Sequence, residues 1–187
     1  MILQGKNVLF LGSSVTYGSA AGGVSFADLM AEACEINSIK EAVSGTTLAD
    51  INDGSYVARL KKHDCAPAVD LFICQLSTND ATQKLPLAQT EEAIRFIVRY
   101  VHDTWGCPVV FYTGTYYRSD AYAELVALLH RLQKECGYEI LDLYNDAEMR
   151  AVSPEDYARF MDDPIHPNLV GYREWWTPKF IAFCEKI

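Results

Sequence analysis

The chain has 187 residues, half of them hydrophobic and 22% charged, which suits one domain (1–187) able to bury most of its apolar surface. Its formal charge is −9, from 25 acids against 16 bases, with no basic cluster larger than Lys61-Lys62, so it lacks the positive patch that nucleic acid or an anionic membrane demands. No segment approaches the roughly 18 apolar residues of a membrane span, and the start Met1-Ile-Leu-Gln-Gly-Lys6 has neither the basic opening nor the cleavage site of a signal peptide, so a cytoplasmic protein is expected.

A strand is expected over 7–11, whose residues 8–11 are an unbroken apolar run, the pattern of a strand buried on both faces. The run stops at Gly12-Ser13-Ser14, and a loop rich in Gly, Ser and Ala continues to Gly23. Ser25-x-x-Asp28 then reads as a capping box, with Phe26, Leu29, Met30 and Ala33 following at helical spacing. Residues 38–43 form a more polar strand, suited to a sheet edge, and residues 56–62 a short amphipathic helix that Ala66-Pro67 breaks. The most continuous strand of all spans 70–76. A helix over 91–104 places Ile94, Ile97, Val98, Val101 and Trp105 on one face, and a fourth strand covers 108–112. Ser119 or Asp120 caps the next helix, which carries Leu125, Leu128, Leu129 and Leu132 and ends at Gly137. A fifth strand covers 139–143. The last helix starts near Asn168 and is kinked or restarted by Pro178. Strands alternating with helices call for a parallel sheet covered on both faces.

Four short segments stand where loops at the carboxyl ends of parallel strands gather ligands. They are Gly12-Ser13-Ser14-Val15, Ala42-Val43-Ser44-Gly45-Thr46-Thr47, Leu76-Ser77-Thr78-Asn79-Asp80 and Asp163-Pro164-Ile165-His166-Pro167-Asn168. A serine in a Gly/Ser loop is, taken alone, more often a turn residue than a nucleophile. Beside a histidine it becomes one, because the hydroxyl reacts only when a base takes its proton, and an imidazole titrates near pH 6.5. Asp163 is near enough in sequence to hold the other ring nitrogen of His166. The spacing D-x-x-H selects Asp163 over Asp162.

Taken together, the four segments resemble the blocks of the SGNH (GDSL-type) hydrolase family, which hold a Ser, a Gly, an Asn and a His in that order. They fall here on Ser14, Gly45, Asn79 and His166, and the match spans 8–172. The resemblance implies a three-layer α/β/α sandwich with a five-stranded parallel sheet in the order 2-1-3-4-5. It also implies hydrolysis of a carboxylic ester through an acyl-serine, with Ser14 as nucleophile, His166 as base and Asp163 as its orienting acid. The oxyanion donors it implies are the backbone N–H groups of Ser14 and Gly45 and the side-chain amide of Asn79; glycine at 45 fits a main-chain donor that must approach substrate without a Cβ. Two positions depart from the family: serine stands at 13, where the first block has Asp, and at 77, where the third has Gly. They bear on the shape of the oxyanion loop and on the charge beside Ser14.

The expected partner is a small-molecule ester, with short acyl groups such as acetyl on a carbohydrate favoured by the family's habits. Lysophospholipase, thioesterase or acyltransferase activity would use the same residues, and a carbohydrate-binding module without turnover is the reading from another class. Tyr17, Tyr116, Tyr117 and Arg118 are candidate substrate contacts, while Trp175 and Trp176 are read as core and Asp80 as structural. No metal or organic cofactor is implied: His63, His102 and His130 lie on helical segments, and six scattered cysteines without a C-x-x-C pair read as free thiols. The oligomeric state is left open.

Overall fold

Apolar runs at 8–11, 71–74 and 109–112 leave little choice about which strands occupy the middle of the sheet. The computed structural model of the chain describes residues 1–187 apart from Asp64 and Ala66, so the Ala66 part of the expected break after the third helix lies outside the described residues. The strands are β1 (Asn7–Gly12), β2 (Asn37–Ala42), β3 (Leu71–Gln75), β4 (Val109–Tyr112) and β5 (Glu139–Leu141), all parallel, in the order 2-1-3-4-5. In register, Leu9 sits between Ile39 and Phe72. β2 stays half-exposed along its length, as its polar sequence and edge position require.

Successive residues of a strand point to opposite faces, and here they feed two separate cores. Leu9, Leu11, Phe72, Cys74 and Phe111 face one layer, formed by α3 (Tyr56–Lys62), α5 (Leu87–Trp105) and α6 (Asp120–Cys136). Val8, Phe10, Ile73, Val110 and Tyr112 face the other, formed by α2 (Phe26–Cys34), a π-helical turn (Tyr172–Trp176) and the terminal helix. Short helices α1 (Ser14–Tyr17), α4 (Thr78–Thr82), α7 (Ala147–Arg150), α8 (Pro154–Phe160) and α9 (Leu169–Gly171) occupy the connections, and α10 (Thr177–Cys184) closes the described fold. Trp176 is fully buried, and Phe26 stacks on Phe180 at 3.8 Å between centroids. Trp175 packs against the same core from its margin, half-buried and stacked on Phe160 at 5.3 Å.

Several boundaries differ from the sequence reading for local reasons. The capping box forms as expected, Ser25 N–H donating to Asp28 Oδ2 at 2.8 Å. Helix α5 begins about a turn early because Pro86 supplies its cap, with φ −57 already set for entry. Ser119, not Asp120, caps α6 by accepting from Tyr122 N–H at 3.2 Å, and Gly137 ends it in the left-handed region at φ 73. β5 stops at Leu141 because Asp142 turns away to bond Thr113 Oγ1 and the Asn145 N–H. Near Pro178, which has no N–H to continue the ladder, the helix widens into the π-helical turn and then resumes. Among the described residues no helix is long and apolar enough to cross a membrane.

Candidate active site

The corner after β1 is held by a polar residue that ends an otherwise apolar strand. Gln75 Oε1 accepts from the Ser13 N–H at 2.9 Å, the Ser13 hydroxyl at 3.3 Å and the Thr16 hydroxyl at 2.9 Å. Tyr172 Oη fixes the next residue by donating to the Val15 carbonyl at 2.7 Å. A Cβ at position 12 would meet Thr16 Oγ1 at 1.8 Å, so only glycine fits this corner. Ser14 therefore stands on a rigid turn, 9% exposed, with its Oγ 2.7 Å from His166 Nε2.

The histidine is delivered by a loop that organises itself. Asp162 N–H donates to the His166 carbonyl at 2.9 Å, and Met161 bridges Pro167. Inside that turn Asp163 Oδ1 accepts the N–H groups of Ile165 at 2.7 Å and His166 at 2.8 Å, while Oδ2 lies 2.7 Å from His166 Nδ1. Partial burial pushes the Asp163 carboxyl upward, but the imidazole and the two backbone donors outweigh it and hold its pKa below the usual carboxylate range. Asp163 is thus an ionised acceptor for a ring proton on Nδ1, which leaves Nε2 free to accept from the Ser14 hydroxyl.

The loop after β2 starts beside the end of β1, Val43 N–H donating to the Gly12 carbonyl at 3.2 Å. Gly45 has φ 80, and its N–H has no protein acceptor among the described residues. A Cβ there would meet nothing within 4 Å. The left-handed backbone at this position favours glycine, and the space where a side chain would stand is open, as a main-chain donor approaching substrate needs. Asn79 Nδ2 donates one hydrogen to the Thr46 carbonyl at 2.8 Å, which leaves its other amide hydrogen for a ligand. Buried Asp80 staples the same loop by accepting from Leu48 N–H at 2.8 Å, Ala49 N–H at 3.0 Å and Thr90 Oγ1 at 2.8 Å. This is the structural role expected of it.

The two departures from the family blocks have structural partners. Ser13 binds Gln75, Ser77 caps α4 by accepting from Asp80 N–H at 3.2 Å, and both flank the buried Tyr56 hydroxyl. Nothing in either contact disturbs Ser14 or Asn79.

The substrate candidates divide. Tyr116 is exposed, with the Arg150 guanidinium 4.1 Å from its ring centre. Tyr17 is exposed and lies over Lys40 at 5.6 Å, and Arg118 is exposed without an ion pair among the described residues. Tyr117 departs from expectation: it turns inward onto Tyr122, 5.1 Å between centroids, and burial pushes its hydroxyl up to about 12. Sequence reasoning missed Gln75 and Arg59. A lone polar residue closing the run Leu71-Phe-Ile-Cys-Gln75 was a usable signal for the first; nothing local marked the second.

Residues 10–174 match the model of the GDSL-like lipase/acylhydrolase family. The chain belongs to that family. It is accordingly a carboxylic ester hydrolase of the SGNH type. Among solved structures it is similar to a protein from Lactobacillus plantarum, at 22% identity over 98% of both chains with TM-score 0.83. It also resembles a member of the lipolytic protein G-D-S-L family from Veillonella parvula, at 15% identity over 97% of this chain and 99% of that one, TM-score 0.76. A family two carbohydrate esterase from Clostridium thermocellum, in complex with cellohexaose, aligns at 12% identity over 97% of this chain and 64% of that one, TM-score 0.72. At these identities the likeness is one of fold. No curated protein matches the sequence.

Proposed function

We propose that this SGNH hydrolase cleaves short acyl esters, acetyl on a carbohydrate first among them, through an acyl-serine intermediate. Ser14 Oγ attacks the ester carbonyl while His166 Nε2 takes its proton; the imidazolium then protonates the departing alcohol, and water repeats the sequence to release the acid. Asp163 keeps the ring in the right tautomer and stabilises its charged form. Negative charge on the carbonyl oxygen is met by the N–H groups of Ser14 and Gly45 and the free hydrogen of Asn79, donors that are worth most where water is excluded. The observation that carries this reading is the pair of 2.7 Å contacts running from Ser14 through His166 to Asp163. The carbohydrate preference draws its support from the fold shared with the C. thermocellum esterase.

p-Nitrophenyl acetate tests the chemistry directly. The parent protein is expected to release nitrophenol with a burst stoichiometric with enzyme or a steady rate, and Ser14→Ala to lose at least about a thousandfold of it. Equal, negligible release from both proteins would defeat the reading and leave a binding role for the fold.

A further inference from the structure

A cavity of about 270 Å³ is lined by Thr115, Tyr116, Met149, Arg150, Tyr157 and Trp175 among others. Tyr157 Oη donates to the Pro164 carbonyl at 3.4 Å, so the cavity wall and the histidine turn are joined. Thr115 and Tyr116 follow β4 at the edge of the sheet where Ser14 follows β1. The space falls just short of the roughly 300 Å³ at which drug-sized pockets begin. It is large enough for a single sugar-sized ring.

Three features of this cavity decide what it can hold. Arg150 stands at the carboxyl end of α7, stacked on Tyr116, with no carboxylate partner among the described residues, although the chain carries 25 acids against 16 bases. Thr115 is 3% exposed, yet its hydroxyl has no hydrogen-bond partner among the described residues. Tyr157 and Trp175 set their rings nearly perpendicular, 6.4 Å between centroids, in the same lining. The nearby Asp163 carboxylate is occupied by the imidazole and two N–H groups. An unpaired guanidinium, a spare hydroxyl and aromatic faces are together suited to a ring that bears an anionic group.

We propose that this cavity holds the alcohol portion of the ester and selects a ring-bearing alcohol with a carboxylate or phosphate, Arg150 receiving the anion. The assignment rests on the short-acyl reading above, since an acetyl group is too small to fill this space. It extends that reading by naming a charged class of substrate.

Mono-acetylated glucuronate, glucose 6-phosphate and glucose serve as probes. The parent is expected to favour at least one anionic ester over the neutral one by about tenfold in kcat/KM, and the larger ratio tells carboxylate from phosphate. Arg150→Met is expected to bring that ratio near one, and Arg150→Lys to keep part of it. A parent ratio near one for both anions, or a ratio that Arg150→Met leaves unchanged, would overturn the proposal. Calorimetric titration of the Ser14→Ala chain with the same three esters reads the cavity without turnover, with about tenfold tighter binding of an anionic ester expected and equal binding of all three contradicting it. Failure of ester hydrolysis shows instead with p-nitrophenyl acetate.

Discussion

Asp163 is half-exposed, and its share of burial works against ionisation, yet its carboxyl sits below the ordinary range because an imidazole and two N–H groups converge on it. A carboxylate depressed in the folded state adds stability that is complete above its unfolded pKa, about 3.9, and that is lost as pH falls through the lower folded value. Asp163→Asn is therefore expected to lower the urea midpoint near neutral pH. The gap to the parent should close as the medium is acidified past the unfolded value. Urea melts of both proteins across that range check this, and a gap that holds constant with pH would show that the carboxylate's charge is not what matters there. Gly45 carries a related lesson: its φ of 80 favours glycine although no protein atom lies within 4 Å of where a Cβ would stand.

The candidate oxyanion loop has little regular structure of its own and is shaped by the elements around it. Arg59, on α3, reaches across three of them. Nη2 donates to the Gly12 carbonyl at 2.7 Å and to Thr46 Oγ1 at 3.3 Å, Nη1 to the Glu41 carbonyl and Oε1 at 2.9 Å each, and Nε to the Gly54 carbonyl at 3.1 Å. The end of β1, the end of β2 and the Gly45 loop are thus tied to one guanidinium whose side chain is only 10% exposed. Removing one partner of a buried ion pair typically costs about 3–5 kcal/mol, and the partly exposed Glu41 carboxylate puts this pair at the low end. Arg59→Met is expected to lose about 3 kcal/mol of stability and to lower kcat toward p-nitrophenyl acetate beyond what Arg59→Lys loses. Chemical denaturation and steady-state kinetics on both variants measure it. A kcat equal to the parent's in a folded Arg59→Met protein would show that the loop holds its shape unaided.

The five strands and the two-sided core were legible in the sequence because continuous apolar runs carry that information locally, whereas the strand order 2-1-3-4-5 and the meeting of the four loops at one rim came from the resemblance of the Ser, Gly, Asn and His blocks to the family. The D-x-x-H turn was legible locally, its hydrogen bonds lying within 162–167. Contacts between residues far apart along the chain were not. Gln75 reaches Ser13 across 62 positions and Arg59 reaches Gly12 across 47, and no periodicity records such a meeting. Tyr117 was misjudged because neighbours in a loop need not share a direction: Tyr116 faces outward and Tyr117 inward. The short helices α7 and α8 hide between turn signals, although Asp146 and Ser153 cap them through Met149 N–H and Asp156 N–H; with them goes the wall that carries Arg150 and Tyr157.

All of this chemistry depends on Ser14 and His166 sharing a proton across 152 positions of sequence. A fluorophosphonate reagent, which bonds only an activated serine hydroxyl, followed by peptide mapping, reads that coupling directly. One label per chain on Ser14, formed quickly in the parent and at least about a hundredfold more slowly in His166→Ala, is the result this geometry requires. Labelling of Ser14 at the same rate without the imidazole, or labelling centred on another serine, would contradict it.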